Sequence, residues 1–183
     1  MNFDKLIHHR QSVRAYAPQP VEQEKVEACI DAARLAPSAC NAQPWRFIVV
    51  DDPALKNAVA DATASRTLNM NHFTKQAPVH IVVVREPKNF TSSIGSVIKE
   101  KDYAMYDIGI ATAQLCLQAT DLGLGTCILG WFDEKKVRKL LNVPRSKRVD
   151  LIITLGYPAV NEIRLKVRKT MEEVTSYNSY KSC

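Results

Sequence analysis

The stretch DYAMYDIGIATAQLCLQATDLGLGTCILG, residues 102–130, organises everything around it. Ile108, Ala111, Leu115, Ala119 and Leu122 advance by three or four, the spacing of one buried helical face, which predicts a long central helix from about Asp102 to Leu122. Gly123 follows as a C-terminal stop, and Thr126 to Leu129 then reads as a short strand. That helix is the centre of the core, so the flanking segments have to supply the strands and helices packed around it.

They do. On the N-terminal side, Trp45 to Val50 (WRFIVV) and His80 to Val84 (HIVVV) read as buried strands. Helices are predicted over Phe3 to His9, over Val21 to Ala36 with Val26, Cys29, Ile30 and Ala33 facing inward, and from Pro53 to Ala64 with Asp52 as N-cap. Ser65 to Gln76 reads as loop and broken helix, and Lys88 to Ser96 as a polar, mobile stretch. On the C-terminal side, Asp133 caps a helix through Leu141, and Val149 to Leu155 (VDLIITL) is the last clear strand. Four strands separated by helices indicate an α/β or α+β sheet, and periodicity alone does not choose between them.

The 183 residues, 46% hydrophobic and 24% charged, suit one globular domain over 1–183. A chain of this size buries roughly two-thirds of its unfolded surface, so it needs no disulfide or metal staple. The five scattered cysteines form no CxxC pair, and His8, His9, His72 and His80 lack ligand spacing, so a metal site is not expected. No apolar run approaches the roughly 18 residues of a membrane span, which with the N-terminus MNFDKLIHHRQ leads to the expectation of a cytoplasmic protein.

The formal charge of +6 suits an anionic ligand. Arg10 and Arg14 lie near one end, and Arg164, Lys166, Arg168 and Lys169 near the other. These either decorate solvated surface or converge on a multiply charged anion such as a phosphate, with Ser12 adding a hydroxyl. Pro37-Ser38-Ala39-Cys40-Asn41-Ala42-Gln43-Pro44 is either a helix stop and strand start or a rigid loop presenting polar donors to a flat ligand. Gly130, after the short strand, is either a plain turn or a place where a planar group approaches the main chain. Gly123-Leu124-Gly125 is no dinucleotide fingerprint: it follows a helix and precedes a strand, and position 128 is Ile128. No GxSxG or HExxH motif is present.

Four segments in order, Arg10-Gln11-Ser12-Val13-Arg14 with Tyr16, Ala36 to Phe47, Leu122 to Gly130, and Lys166-Val167-Arg168-Lys169, make the chain resemble the FMN-dependent nitroreductase family over nearly its whole length. The resemblance implies an α+β fold with a central mixed sheet flanked by helices, in an intertwined homodimer whose C-terminal tail, 159–183, docks on the partner subunit. It implies a ping-pong oxidoreductase that takes hydride from NADH or NADPH onto FMN and reduces a nitroaromatic, quinone or similar acceptor. Arg10 and Ser12 with Lys166 and Arg168 would hold the FMN phosphate, and Arg14 would lie at the pyrimidine edge of the ring. Pro37, Ser38, Cys40 and Asn41 would come from the partner, Leu129 and Gly130 would offer main-chain groups to the ring, and Asn71 would supply an amide.

Two departures stand out. Gln11 occupies a position that is basic in many relatives, and Leu129 one that is acidic in several. The segment 85–101, which carries a lid in larger relatives, is short. Two rival readings remain at this level: an FMN-binding protein that sequesters or processes flavin, and a nucleic-acid-binding protein. The second is disfavoured by a 7% aromatic content without interleaved basic platforms.

Overall fold

A computed structural model describes residues 1–65, 69–86 and 102–180. The polar stretch Lys88 to Ser96 and most of the segment 85–101 lie outside the described residues.

The helices are α1 (Phe3–His9), α2 (Gln23–Arg34), α3 (Pro53–Thr63), α4 (Tyr103–Asp121), α5 (Glu134–Leu140) and α6 (Met171–Val174). The strands are β1 (Trp45–Val50), β2 (Val79–Arg85), β3 (Gly125–Leu129) and β4 (Arg148–Gly156), ordered β1-β2-β4-β3. Caps fall where side-chain chemistry places them: Asp52 accepts from Leu55 N with Pro53 behind it, and Asp133 accepts from Lys136 N. Gly123 ends α4 at φ 77°, a conformation that costs a glycine little.

The α+β architecture with helices on both faces is the expected one. The named strands pair antiparallel throughout, so the parallel component of the expected mixed sheet is confined to an isolated bridge between Ser12 and Thr126. The reason is local. Val13 N donates to Thr126 O (2.9 Å) and Ala159 N to Ala15 O (3.0 Å), so residues 12–17 thread between β3 and the segment after β4 without forming a full strand.

The strands alternate between two cores. Val79, Ile81 and Val83 of β2 face α2 and α4, where they meet Cys29, Ala33, Ile108, Leu115 and Ala119. Val82 and Val84 face the other way, toward Val59 of α3 and Val137 of α5. With both faces covered, a central strand reads as an unbroken apolar run, which is why HIVVV shows no polar alternation. The exception is His80, fully buried, whose Nε2 lies 3.1 Å from Thr74 O and whose Nδ1 has no hydrogen-bond partner. Thr74 sits on a 3₁₀ turn, His72–Gln76, within the region expected to be broken helix.

Among the described residues no helix is long and apolar enough to cross a membrane, no cluster of metal-ligating side chains is present, and Cys29, Cys40, Cys116 and Cys127 are free thiols.

Candidate functional site

The segment after α1 is held flat against β3 because Gly125 has no side chain. A Cβ there would lie 2.5 Å from Val13 Cγ2, so any larger residue would push residues 10–14 away. Tyr16 anchors the far end: its buried hydroxyl donates to Val13 O (3.0 Å) and lies 2.6 Å from Thr154 Oγ1. Burial, with Cys127 and Cys116 nearby, raises the Tyr16 pKa well above the usual phenol value. Arg14 lies between these two anchors, and Arg10 and Ser12 lie on the stretch that leads from α1 into the first of them.

The tail returns to the same place. Gln11, which the resemblance sets at the phosphate end, clamps the tail: Nε2 donates to Glu162 O (2.8 Å), and Oε1 accepts from Arg164 N (3.2 Å) and Nε (3.1 Å). Arg164 Nη2 also donates to Ser12 O. Two residues further on, Lys166 Nζ donates to Ile7 O and His8 O, both at 2.6 Å, the exposed carbonyls of the last turn of α1. This leaves one of its three N–H groups for another acceptor.

Lys166 is consequently held among like charges. Its ammonium pKa is lowered, first by desolvation and then by the neighbouring Arg168 and Arg10. Arg10, Ser12 and Arg14 also lie near Cys127 at the base. Burial raises the Cys127 pKa, and Arg14, Ser12 and Arg10, in that order, oppose the rise. Among the described residues none of Arg10, Arg14, Lys166 or Arg168 has a carboxylate partner. Cations gathered from two ends of the chain without a counter-charge suit a doubly negative group, and a hydroxyl with guanidinium forks is the donor set a phosphate takes.

The Pro37 to Asn41 loop is rigid. Cys40, Asn41 and Gln43 all sit in the left-handed region, at φ 52°, 51° and 46°. Ser38 Oγ accepts from Gln43 N (3.0 Å), and the buried carboxylate of Asp107 accepts Ala39 N with both oxygens at 3.2 Å. Asp107 is a residue that sequence reasoning missed. A lone acid within an apolar helical face was its signal. Pro37, Cys40 and Asn41 are left exposed to solvent.

Among the described residues no hydrogen bond or ion pair joins this loop to the cation cluster. Asp107 holds the loop near the start of α4, whereas Asp121, at the other end, pairs with the N-terminal ammonium that leads into α1. At 1.5 Å per residue the two anchors are about 20 Å apart along the axis.

Leu129 is buried and pairs with Ile152 as the last rung of β3, so the main chain of Gly130 and Trp131 runs on beyond the ladder. A Cβ at Gly130 would meet nothing within 4 Å. Asn71, at φ 60°, is brought to this turn: its Nδ2 donates to Thr63 O (3.1 Å) and, more weakly, to Trp131 O (3.4 Å). Its side-chain oxygen makes no hydrogen bond among the described residues.

An α+β scaffold that gathers cations without carboxylate partners beside a glycine-bearing strand suits a protein that binds an anionic cofactor and lets it do the chemistry. The chain belongs to the nitroreductase family, whose model matches residues 7–69 and 64–157. It is similar to the oxygen-insensitive NADPH nitroreductase of Helicobacter pylori strain 26695, at 26% identity over 94% of this chain and 95% of that protein. It also resembles the iodotyrosine deiodinase of Thermotoga neapolitana, at 27% identity over 84% and 87%. Among solved structures, an FMN-dependent nitroreductase from Clostridium difficile R20291 is 28% identical, covers 96% of this chain and 98% of its own, and superposes with a TM-score of 0.78. The chain is thus an NAD(P)H-dependent oxidoreductase of the nitroreductase type.

Proposed function

We propose that the chain works as a homodimer that holds FMN at each subunit interface, oxidises NADH or NADPH, and reduces a nitroaromatic, quinone or similar acceptor in alternating half-reactions. The observation that carries this is that Lys166, pinned to the last turn of α1, has both Arg10 and Arg168 within charge reach, close to Ser12 and without a carboxylate partner among the described residues.

The residues fit the cofactor. Arg10, Ser12, Lys166 and Arg168 hold the phosphate, Arg14 sets positive charge at the pyrimidine edge, and the main chain of Leu129 and Gly130 with the Asn71 oxygen lies toward the ring. When bound, FMN supplies the hydride-accepting and electron-donating chemistry. The chain's own part is electrostatic: a fixed guanidinium at Arg14 stabilises negative charge that develops beside it, without reorganisation.

Two observations support the second subunit. The Pro37 to Asn41 loop and the cation cluster are anchored at opposite ends of α4, so one ligand meets both only if a partner supplies one of them. The tail from 159, read as docking on that partner, leaves Leu165 93%, Val167 85% and Tyr180 92% exposed, apolar surface that association would cover. Phe3, Tyr106 and Ile110 are exposed as well.

The test is direct. Purified protein should show bound flavin by absorbance, run as a dimer by light scattering, and oxidise NADH or NADPH with turnover of an added quinone or nitroarene. A colourless monomer that does not take up FMN would refute the proposal. A yellow dimer inert toward both nucleotides would favour a flavin-sequestering role.

A further inference from the structure

A second cationic cleft lies away from the cluster just described. It occupies about 820 Å³ between α5 and the turn that follows, and is lined by Lys135, Arg138, Lys139, Asn142, Val143, Pro144 and Arg145. Lys135 and Lys139 stand one helical turn apart, about 6 Å along the axis. Arg138 is fixed in place: Nη1 donates to Arg145 O at 3.0 Å and, at the limit of contact, to Lys147 O at 3.5 Å.

The nearby acids are engaged elsewhere. Glu134 pairs with Arg148 outside the cleft at 2.9 Å and reaches Arg138 only at 3.9 Å, while Glu86 pairs with Lys147 and Arg46. Asp150 is taken by Arg85, and Asp133 caps α5. Lys135, Lys139 and Arg145 therefore have no carboxylate partner among the described residues, although all three line one cleft. The acids neutralise the cations around it and, within it, touch only Arg138.

We propose that this cleft binds a compact phosphate chain, the tri- or polyphosphate group of a small anion. Charge density selects it: four cations within one helical turn and one loop match several phosphates in a row, each met by ammonium or guanidinium donors. The small footprint and the absence of any aromatic side chain in the lining disfavour a nucleic-acid strand, which needs a longer track and stacking platforms. The inference is independent of the proposed flavin site.

The experiment is calorimetric titration of FMN-saturated protein at physiological salt with sodium tripolyphosphate, orthophosphate, metal-free ATP and a 20-nucleotide single-stranded DNA. Tripolyphosphate should bind saturably and more tightly than orthophosphate, and ATP should match it, since the phosphates alone are recognised. The triple variant Lys135→Ser, Lys139→Ser, Arg145→Ser should bind tripolyphosphate about tenfold or more weakly with unchanged flavin content and melting temperature. Lys136→Ser, on the same helix but outside the lining, should change affinity less than about twofold, in line with screened exposed charge. No saturable binding, equal affinity in the triple variant, ATP more than tenfold tighter than tripolyphosphate, or tighter binding of the DNA would each overturn the assignment.

Discussion

His80 should make the protein acid-labile in a way that can be isolated from everything else that titrates. The imidazole is fully buried, Nε2–H is spent on the Thr74 carbonyl, and Nδ1 makes no hydrogen bond. Burial is the main cause of its depressed pKa, about 4 against 6.5 in the unfolded chain. The unfolded state therefore binds a proton first as pH falls, so the contribution of His80 to stability is complete above pH 6.5 and is lost on descending toward 4. Integrating between pH 7 and pH 5 gives a loss of about 2 kcal/mol from this one group. The matched variant is His80→Gln, whose amide can still donate to Thr74 O but does not titrate. Urea denaturation of both proteins should show the wild type losing about 2 kcal/mol more than the variant between pH 7 and pH 5, whatever the variant's stability at neutral pH. Parallel pH profiles would refute the reasoning.

Other consequences concern the site. Gly125→Ala should lower stability by about 1–3 kcal/mol through the clash with Val13 and weaken FMN retention with it, and an unchanged melting temperature would show that residues 10–14 are not held as described. Asp107→Leu removes the acceptor of Ala39 N–H and should cost about 1–3 kcal/mol by denaturant titration, whereas Asp107→Asn, which keeps one oxygen, should cost less than half as much. Arg14→Ala should slow the reductive half-reaction in stopped-flow by a factor corresponding to about 3 kcal/mol or less, with dimerisation intact; unchanged rates and flavin content would remove Arg14 from the site.

The parts of this molecule that were legible in its sequence are those with a local cause. Asp52-Pro53 opens α3, the Ile108 to Ala119 spacing makes α4, and WRFIVV and HIVVV make strands because their residue types fit a buried sheet. Strand order had no such signal, since β2 pairs with β4 across about 70 residues and nothing near either strand announces it. The same holds for the site. That Arg10 and Lys166 meet was suggested by resemblance, but that Gln11 would be spent on the tail, Asp107 on the Ala39 amide and Asn71 on the Trp131 carbonyl depends on tertiary placement. Polar residues in particular are hard to assign in advance, because one amide can serve a ligand or its own chain equally well, and only geometry decides.

The clamp at Gln11 turns the C-terminal segment into a rooted arm. Its point of departure is fixed at Glu162, Arg164 and Lys166, while residues 167–180 beyond it could span roughly 48 Å at full stretch, more than twice the distance between the two anchors on α4. A root that is pinned and a tip with this reach raise the effective concentration of the arm at a neighbouring surface without requiring tight contact anywhere along it. Shortening the tip and loosening the root should therefore be separable lesions, the first reducing grip and the second also disturbing the cations that share the root.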